Sequence, residues 1–131
     1  MNKNLEGINH TESLMTPQGG GNCINMVMGH IIVTRDSLLE SFSFEGMCDD
    51  EMGKVYAQGA PPIKAEDAAD IKKLLSIFNE SQEKVMNILP RKDLSGDEEK
   101  IKNLVGLAFH EAYHAGQIGI LRRVIGKEGV I

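Results

Sequence analysis

The sequence predicts a single all-α domain, spanning residues 1–131, whose long amphipathic helices form an antiparallel bundle. Apolar residues recur at steps of three and four along three long stretches, whereas strict alternation is absent. Aromatic residues are few, with four Phe, two Tyr and no Trp. A chain of 131 residues is long enough to bury a self-supporting core.

The first long helix is predicted over residues 22–42, after the breaker Gly19-Gly20-Gly21 and with Asn22 as its N-cap. Its apolar stripe consists of Ile24, Val27, Met28, Ile31, Leu38 and Phe42. Before the glycines, a short helical piece is expected, with Leu5 and Ile8 as its apolar contacts.

The second long helix is predicted over residues 65–89, with Pro90 ending it. Its apolar stripe consists of Ala68, Ile71, Leu75, Phe78, Val85 and Leu89. The segment 46–62 before it is expected to be a connection, because it holds three Gly, two Pro and an acidic run.

The third long helix is predicted over residues 96–125, with Ser95 and Glu98 forming a capping box and Gly126 ending the helix. Its expected core face consists of Ile101, Leu104, Val105, Ala108, Ala112, Ala115, Ile118 and Leu121. Three long helices bury their stripes less completely than four. Part of an apolar face is therefore expected to meet a partner subunit, which predicts a homodimer.

Net charge argues against nucleic acid as a partner. The chain has 19 acidic and 14 basic residues, a net charge of −5, and no basic face.

The most apolar segment, residues 26–33, is too short to span a bilayer, so no membrane association is expected. No apolar leader follows the first residues, and a cytoplasmic location is expected. Cys23 and Cys48 match no zinc pattern and are expected to be free thiols, with Cys23 in the core.

The chemistry-bearing motif is His110-Glu111-Ala112-Tyr113-His114. Two histidines four residues apart on a helix can reach one ion, as in the H-E-x-x-H pattern. A zinc protease of the extended type would need Gly at position 117 and His at position 120, but the chain has Gln117 and Ile120. The protease interpretation is therefore the weaker one.

His30 is the expected third ligand. It lies between Gly29 and Ile31 in an apolar helical segment, where a lone imidazole must be hydrogen-bonded or coordinated. Alone it would more simply be a core histidine bonded to a backbone carbonyl. Together with His110 and His114 it favours a three-histidine metal site, whereas His10 lies among polar residues and is expected at the surface.

Two segments resemble the DinB-like superfamily. Residues 22–31, after the glycine-rich turn, are similar to its second-helix motif, and residues 110–118 are similar to its last-helix pattern H-x-x-x-H-x-G-Q-I. The resemblance covers roughly residues 4–125. It implies a DinB-type four-helix bundle with a metal site at His30, His110 and His114. The first helix is shortened here, so a second subunit or the 46–62 segment would replace it, and Ala115 stands where a basic residue is common.

The expected cofactor is one divalent metal ion. Three imidazoles suit Zn, Ni, Cu or Fe, and Zn or Ni is the favoured choice. The resemblance implies a metal-dependent S-transferase that acts on a small-molecule substrate with a low-molecular-weight thiol. Two alternatives stay open: a non-enzymatic metal-binding or stress-response protein, and a metallohydrolase with Glu111 as general base. Glu111 could equally be a surface carboxylate. Gln117 is expected to line the pocket, and Tyr113 could line it as well, although a core aromatic is the simpler expectation.

Overall fold

The computed structural model describes residues 2–88 and 94–129, and this part of the chain contains α-helices and no strands. The helices are α1 (Asn2–Leu5), α2 (His10–Ser13), α3 (Ile24–Ser41), α4 (Asp50–Val55), α5 (Ile71–Ile88) and α6 (Glu98–Val124). The all-α class is confirmed. Among the described helices, none is both long and apolar enough to cross a membrane. The expected helix end at Leu89 and Pro90 lies outside the described residues.

α3 lies at the centre, with α5 and α6 both packed on it. α5 and α6 have no Cα atoms within 8 Å of each other in the part of the chain that is described. The His30 ring contacts His114, and Phe42 lies under Lys100, so α3 and α6 run in opposite directions.

α3 and α5 run in the same direction. Asn25, at the start of α3, donates to the Ala69 carbonyl just before α5, while Leu38 and Phe42 cluster with Val85 farther along. The antiparallel arrangement expected from the sequence is therefore wrong for this pair. The physical reason is the connection between them, which is long enough to return along α3, a distance of roughly 27 Å at 1.5 Å per residue.

The core forms around α3. All six residues of its predicted apolar stripe are buried, as is Cys23 just before it. In α5 the fully buried leucine is Leu74, whereas the predicted Leu75 is only partly buried. Leu5 and Ile8 of the N-terminal segment also belong to the core, as the sequence predicted.

The predicted caps of α3 and α6 and the predicted start of α5 are wrong. α3 begins after Cys23 rather than Asn22, and α5 begins at Ile71 rather than near residue 65. α6 is capped by the Asp97 side chain, which accepts from the Lys100 amide at 3.1 Å, and not by Ser95. The cap of α3 is Cys23, which makes no side-chain capping bond, and several polar residues precede α6, so the pattern alone did not select the right caps.

The C-terminal end of α6 is confirmed. Gly126 has a positive φ of 79°, which glycine adopts without strain. Its amide donates to the Arg123 carbonyl at 3.0 Å, and the Lys127 amide donates to the Arg122 carbonyl at 3.0 Å. These two bonds form a Schellman motif and satisfy the last carbonyls of the helix.

The segment 46–62 is not wholly a connection, because it contains α4. Asp49 caps this helix by accepting from the Met52 amide at 2.8 Å. Asp50 and Glu51 fill its first turn, where negative charge is favoured by the helix dipole. The acidic run is thus a helix start, and it brings Tyr56 to the end of α4 against α3.

The predicted core face of α6 is wrong over its first half. The buried residues are Leu107, His114, Ile118 and Leu121, whereas the predicted Ile101 and Val105 are exposed. Both sides of this helix carry apolar residues, so periodicity could not decide which one meets α3. The side of α6 that carries the histidines is the side that packs against α3.

Candidate metal centre

The three predicted ligands converge between α3 and α6. His30 lies on α3, while His110 and His114 lie one turn apart on α6. The His110 Nε2 atom is 3.0 Å from the Nε2 atoms of both His30 and His114. Ligands around a tetrahedral Zn²⁺, each about 2.0–2.1 Å from the ion, would lie roughly 3.3 Å apart. The cluster could therefore hold a metal ion.

The outer nitrogens of two rings are held by acceptors. His30 Nδ1 lies 3.1 Å from the Tyr56 carbonyl oxygen, and His114 Nδ1 lies 2.7 Å from Gln117 Oε1. Because a carbonyl oxygen only accepts, each Nδ1 carries the proton and donates it. Each Nε2 then keeps its lone pair for a metal ion, which is the usual arrangement of metal-bound histidine.

The surroundings favour the neutral form of two of the imidazoles, His110 and His114. Burial, then the neighbouring His114 and His30, lowers the pKa of His110 to about 4. Burial also lowers the pKa of His114, although its bond to Gln117 opposes this shift. Neutral rings present lone pairs at neutral pH, so protons compete little with a metal ion there. His110 Nδ1 is buried and has no hydrogen-bond partner among the described residues.

A close contact with Gly29 positions the Tyr56 carbonyl. The Tyr56 hydroxyl donates to Asn25 Oδ1 at 2.8 Å and accepts from the Ala69 amide at 2.9 Å. Its ring lies so close to Gly29 that a Cβ there would overlap the ring carbons. Sequence reasoning missed Tyr56, and the available signal was a glycine inside a long helix, directly before His30.

Arg35 is a second residue that sequence reasoning missed. It is 1% exposed, and its guanidinium donates to both Glu111 carboxylate oxygens, at 2.6 and 2.9 Å. It also donates to the Phe78 carbonyl, Ser81 Oγ and Gln82 Oε1 on α5. The signal was its position in the α3 apolar stripe, where a charged residue stands among buried neighbours.

Glu111 therefore lies in an ion pair that joins α6 to α3. Its side chain is about one quarter exposed and has both oxygens facing Arg35. Both carboxylate oxygens that a general base would use are therefore occupied by guanidinium N–H donors. The role of Glu111 as general base stays a prediction.

Two cavities flank the histidines. One, of about 230 Å³, is lined by His30, His114, Tyr113 and Gln117. The other, of about 530 Å³, lies between α3 and α6 and includes His110 in its wall. The prediction that Gln117 lines the pocket is confirmed. Tyr113 is not the expected core aromatic, because it is exposed at the cavity and accepts a hydrogen bond from Gln117.

The cysteines lie outside the histidine cluster. Cys23 and Cys48 are free, as predicted, and burial raises the pKa of the Cys23 thiol. Burial, with the carboxylate of Asp36 beside it, raises the pKa of Cys48 to about 12. Neither thiol is ionised at neutral pH, so neither is an activated nucleophile. Within the described residues, the three histidines are the group of side chains that could hold a metal ion.

The fold and the site define an all-helical protein with a three-histidine cluster suited to a divalent metal ion. No protein-family model, curated protein or solved structure matches the chain.

Proposed function

We propose that this chain is a metal-binding protein of the DinB-like type, which holds one divalent ion through His30, His110 and His114. The observation that carries the proposal is the convergence of three Nε2 atoms with contacts of 3.0 Å. The Nδ1 bonds of His30 and His114 support it, because they aim a lone pair from each ring at the same point.

The donor set favours a transition metal such as Zn or Ni. Three imidazoles without a carboxylate suit Zn, Ni and Cu better than Mg or Ca, which prefer oxygen ligands. Three protein ligands also leave a coordination position for a small molecule, as in catalytic rather than structural zinc sites.

We propose further that the protein is an S-transferase, which joins a low-molecular-weight thiol to an electrophilic small molecule. An ion held by three neutral imidazoles would lower the pKa of a thiol or water at its open position. The 230 Å³ cavity beside His30 and His114 offers space for a small ligand, with Tyr113 and Gln117 as polar groups. Cys23 and Cys48 are un-ionised, so the reacting thiol would come from solution.

Non-enzymatic metal binding is the second candidate, because it requires only the histidine cluster. The hydrolase alternative requires more, since Glu111 would have to leave Arg35 before it could accept a proton from water. Metal binding, transfer and hydrolysis can be separated experimentally.

The metal site is tested by elemental analysis and by titration of the apoprotein with Zn²⁺ and Ni²⁺. We expect one ion per chain in the wild type and a loss of at least tenfold in affinity in His110→Ala. His10→Ala is the matched control, because His10 lies on α2 outside the cluster. A wild-type protein that binds neither Zn²⁺ nor Ni²⁺ would contradict the proposal.

Transferase activity is tested with the Zn- and Ni-loaded protein, a panel of small thiols and a chromogenic electrophile such as 1-chloro-2,4-dinitrobenzene. We expect thiol consumption that depends on metal and disappears in His30→Ala. Metal binding without transfer for any thiol in the panel would favour the non-enzymatic candidate. Hydrolysis that is lost in Glu111→Gln, with the metal retained, would favour the hydrolase.

We propose that the protein forms a homodimer. The support is that α5 and α6 both pack on α3, while several large apolar residues of α6 remain exposed.

A further inference from the structure

One side of α6 is an exposed apolar face, which adjoins the side that carries the metal ligands at Tyr113. Spacings of four or seven residues keep its members on one side of the helix. Six large side chains there are between 40% and 81% exposed, namely Ile101, Val105, Phe109, Tyr113, Ile120 and Val124. The six residues are called the outer α6 face below.

The size of the outer α6 face suits a protein interface. An aromatic side chain presents about 150–250 Å², and the six side chains together expose roughly 600–700 Å². The largest apolar patch on a typical monomer is about 300–600 Å², whereas a standard interface buries about 800 Å² on each partner. The exposed area therefore approaches what one partner of a stable dimer contributes.

The kinds of residue on this side of α6 follow nearly the same order from either end of the helix, with a charged residue first and an aromatic residue last. From the N-terminal end the order is Glu98, Ile101, Val105 and Phe109, and from the C-terminal end it is Arg123, Ile120, Gly116 and Tyr113. Two copies of α6 that cross antiparallel, centred between Phe109 and Tyr113, would therefore pair Glu98 with Arg123 at each end and apolar residues with one another between them. A twofold axis requires such a self-complementary surface.

Charge selects the antiparallel orientation. Glu98 and Arg123 are both exposed, at opposite ends of this side of α6. An antiparallel partner places each Glu98 near the partner's Arg123, whereas a parallel partner would bring like charges together. Gly116 is open, since a Cβ there would meet nothing within 4 Å. In the antiparallel orientation it would face Val105 of the other copy, where the lack of a side chain would let the backbones approach closely.

We propose that a second copy of this chain docks on the outer α6 face, with the two α6 helices antiparallel about a twofold axis. This inference rests on the proposed homodimer and names its surface and orientation. The pairing brings the partner's Phe109 against Tyr113, which lines the cavity beside His30 and His114. Each copy then forms part of the wall around the metal site of the other.

The surface is tested by analytical ultracentrifugation of the full chain and of Phe109→Ser. We expect a wild-type dimer and at least a tenfold weaker association in the variant. Met86→Ser on α5 is the matched control, because it removes a large apolar side chain that is also exposed, 58% against 81% for Phe109, and should leave the dimer intact. Circular dichroism and Zn²⁺ binding verify that both variants fold. A wild-type monomer, or an unchanged dimer in Phe109→Ser, overturns the proposal.

The orientation is tested by charge reversal. Glu98→Arg and Arg123→Glu should each weaken the dimer by about threefold to tenfold, because each change creates two like-charge pairs across the axis. The double variant Glu98→Arg/Arg123→Glu should recover the wild-type association. A dimer that is unaffected by the single changes overturns the antiparallel register and leaves the proposed homodimer standing. Zn²⁺ binding is measured separately, so that a failure of the proposed dimer can be told apart from a failure of the proposed metal site.

Discussion

The Tyr56 carbonyl oxygen accepts a hydrogen bond from His30 Nδ1 at 3.1 Å. This bond connects the end of α4 to a metal ligand in α3. It depends on Gly29, because the Tyr56 ring occupies the space that a side chain at position 29 would need. The orientation of His30 is thus set by residues that cannot themselves bind the ion.

Gly29→Ala should weaken both the fold and the metal site. The added methyl group would displace the Tyr56 ring, and overpacking of this kind costs about 1–3 kcal/mol of unfolding free energy. Loss of the His30 Nδ1 bond should lower Zn²⁺ affinity by about tenfold to a hundredfold. Chelator competition and urea denaturation measure the two effects. Gly53→Ala is the control, since its Cβ would meet nothing within 4 Å.

Gln117 should tune metal affinity through His114. Gln117→Leu removes the acceptor of the His114 Nδ1 proton, and affinity for Zn²⁺ should fall by about tenfold. Gln117→Glu keeps an acceptor at the same place and should bind Zn²⁺ at least as well as the wild type. Chelator competition compares the three proteins. Equal losses in both variants would mean that the amide, and not the hydrogen bond to His114, matters.

Arg35 should be a major contributor to stability. Arg35→Met leaves the Glu111 carboxylate without its partner and removes the bonds to α5, which should cost about 3–5 kcal/mol of unfolding free energy. The double variant Arg35→Met/Glu111→Leu should be more stable than Arg35→Met alone, because it removes the uncompensated charge as well. Urea denaturation of the apoproteins measures this coupling. Additive effects of the two substitutions would contradict it.

The apoprotein should lose stability as acid is added, in part through His110. Its folded-state pKa is lowered to about 4, so between pH 6.5 and 4 the unfolded chain binds the proton that the folded chain does not. The free energy of unfolding therefore decreases as the pH is lowered from 6.5 to 4. His110→Gln cannot take up that proton and should lose less stability over the same range. Urea denaturation in chelator at pH 7, 5.5 and 4.5 tests the difference, and parallel losses would refute it.

The sequence determined the features that depend on residues close together in the chain. Periodicity predicted three long helices, and Gly126 predicted the end of α6. The four-residue spacing of His110 and His114 predicted that both imidazoles lie on one side of the helix and can reach one ion. His30 could be added because an imidazole in an apolar helix needs a partner. The structure brings these three histidines together.

Only the tertiary structure decided which residues support the site. Periodicity defines which side chains share a face of α6, but both faces are apolar, and packing against α3 selected the one that carries His114. Glu111 and Arg35 are 76 residues apart, and Tyr56 is 26 residues from His30. Such pairs depend on the directions of α3, α5 and α6 and on the path of the 42–70 connection. The helix directions and the path of this connection are set by the packing of whole helices, which a local sequence pattern cannot predict.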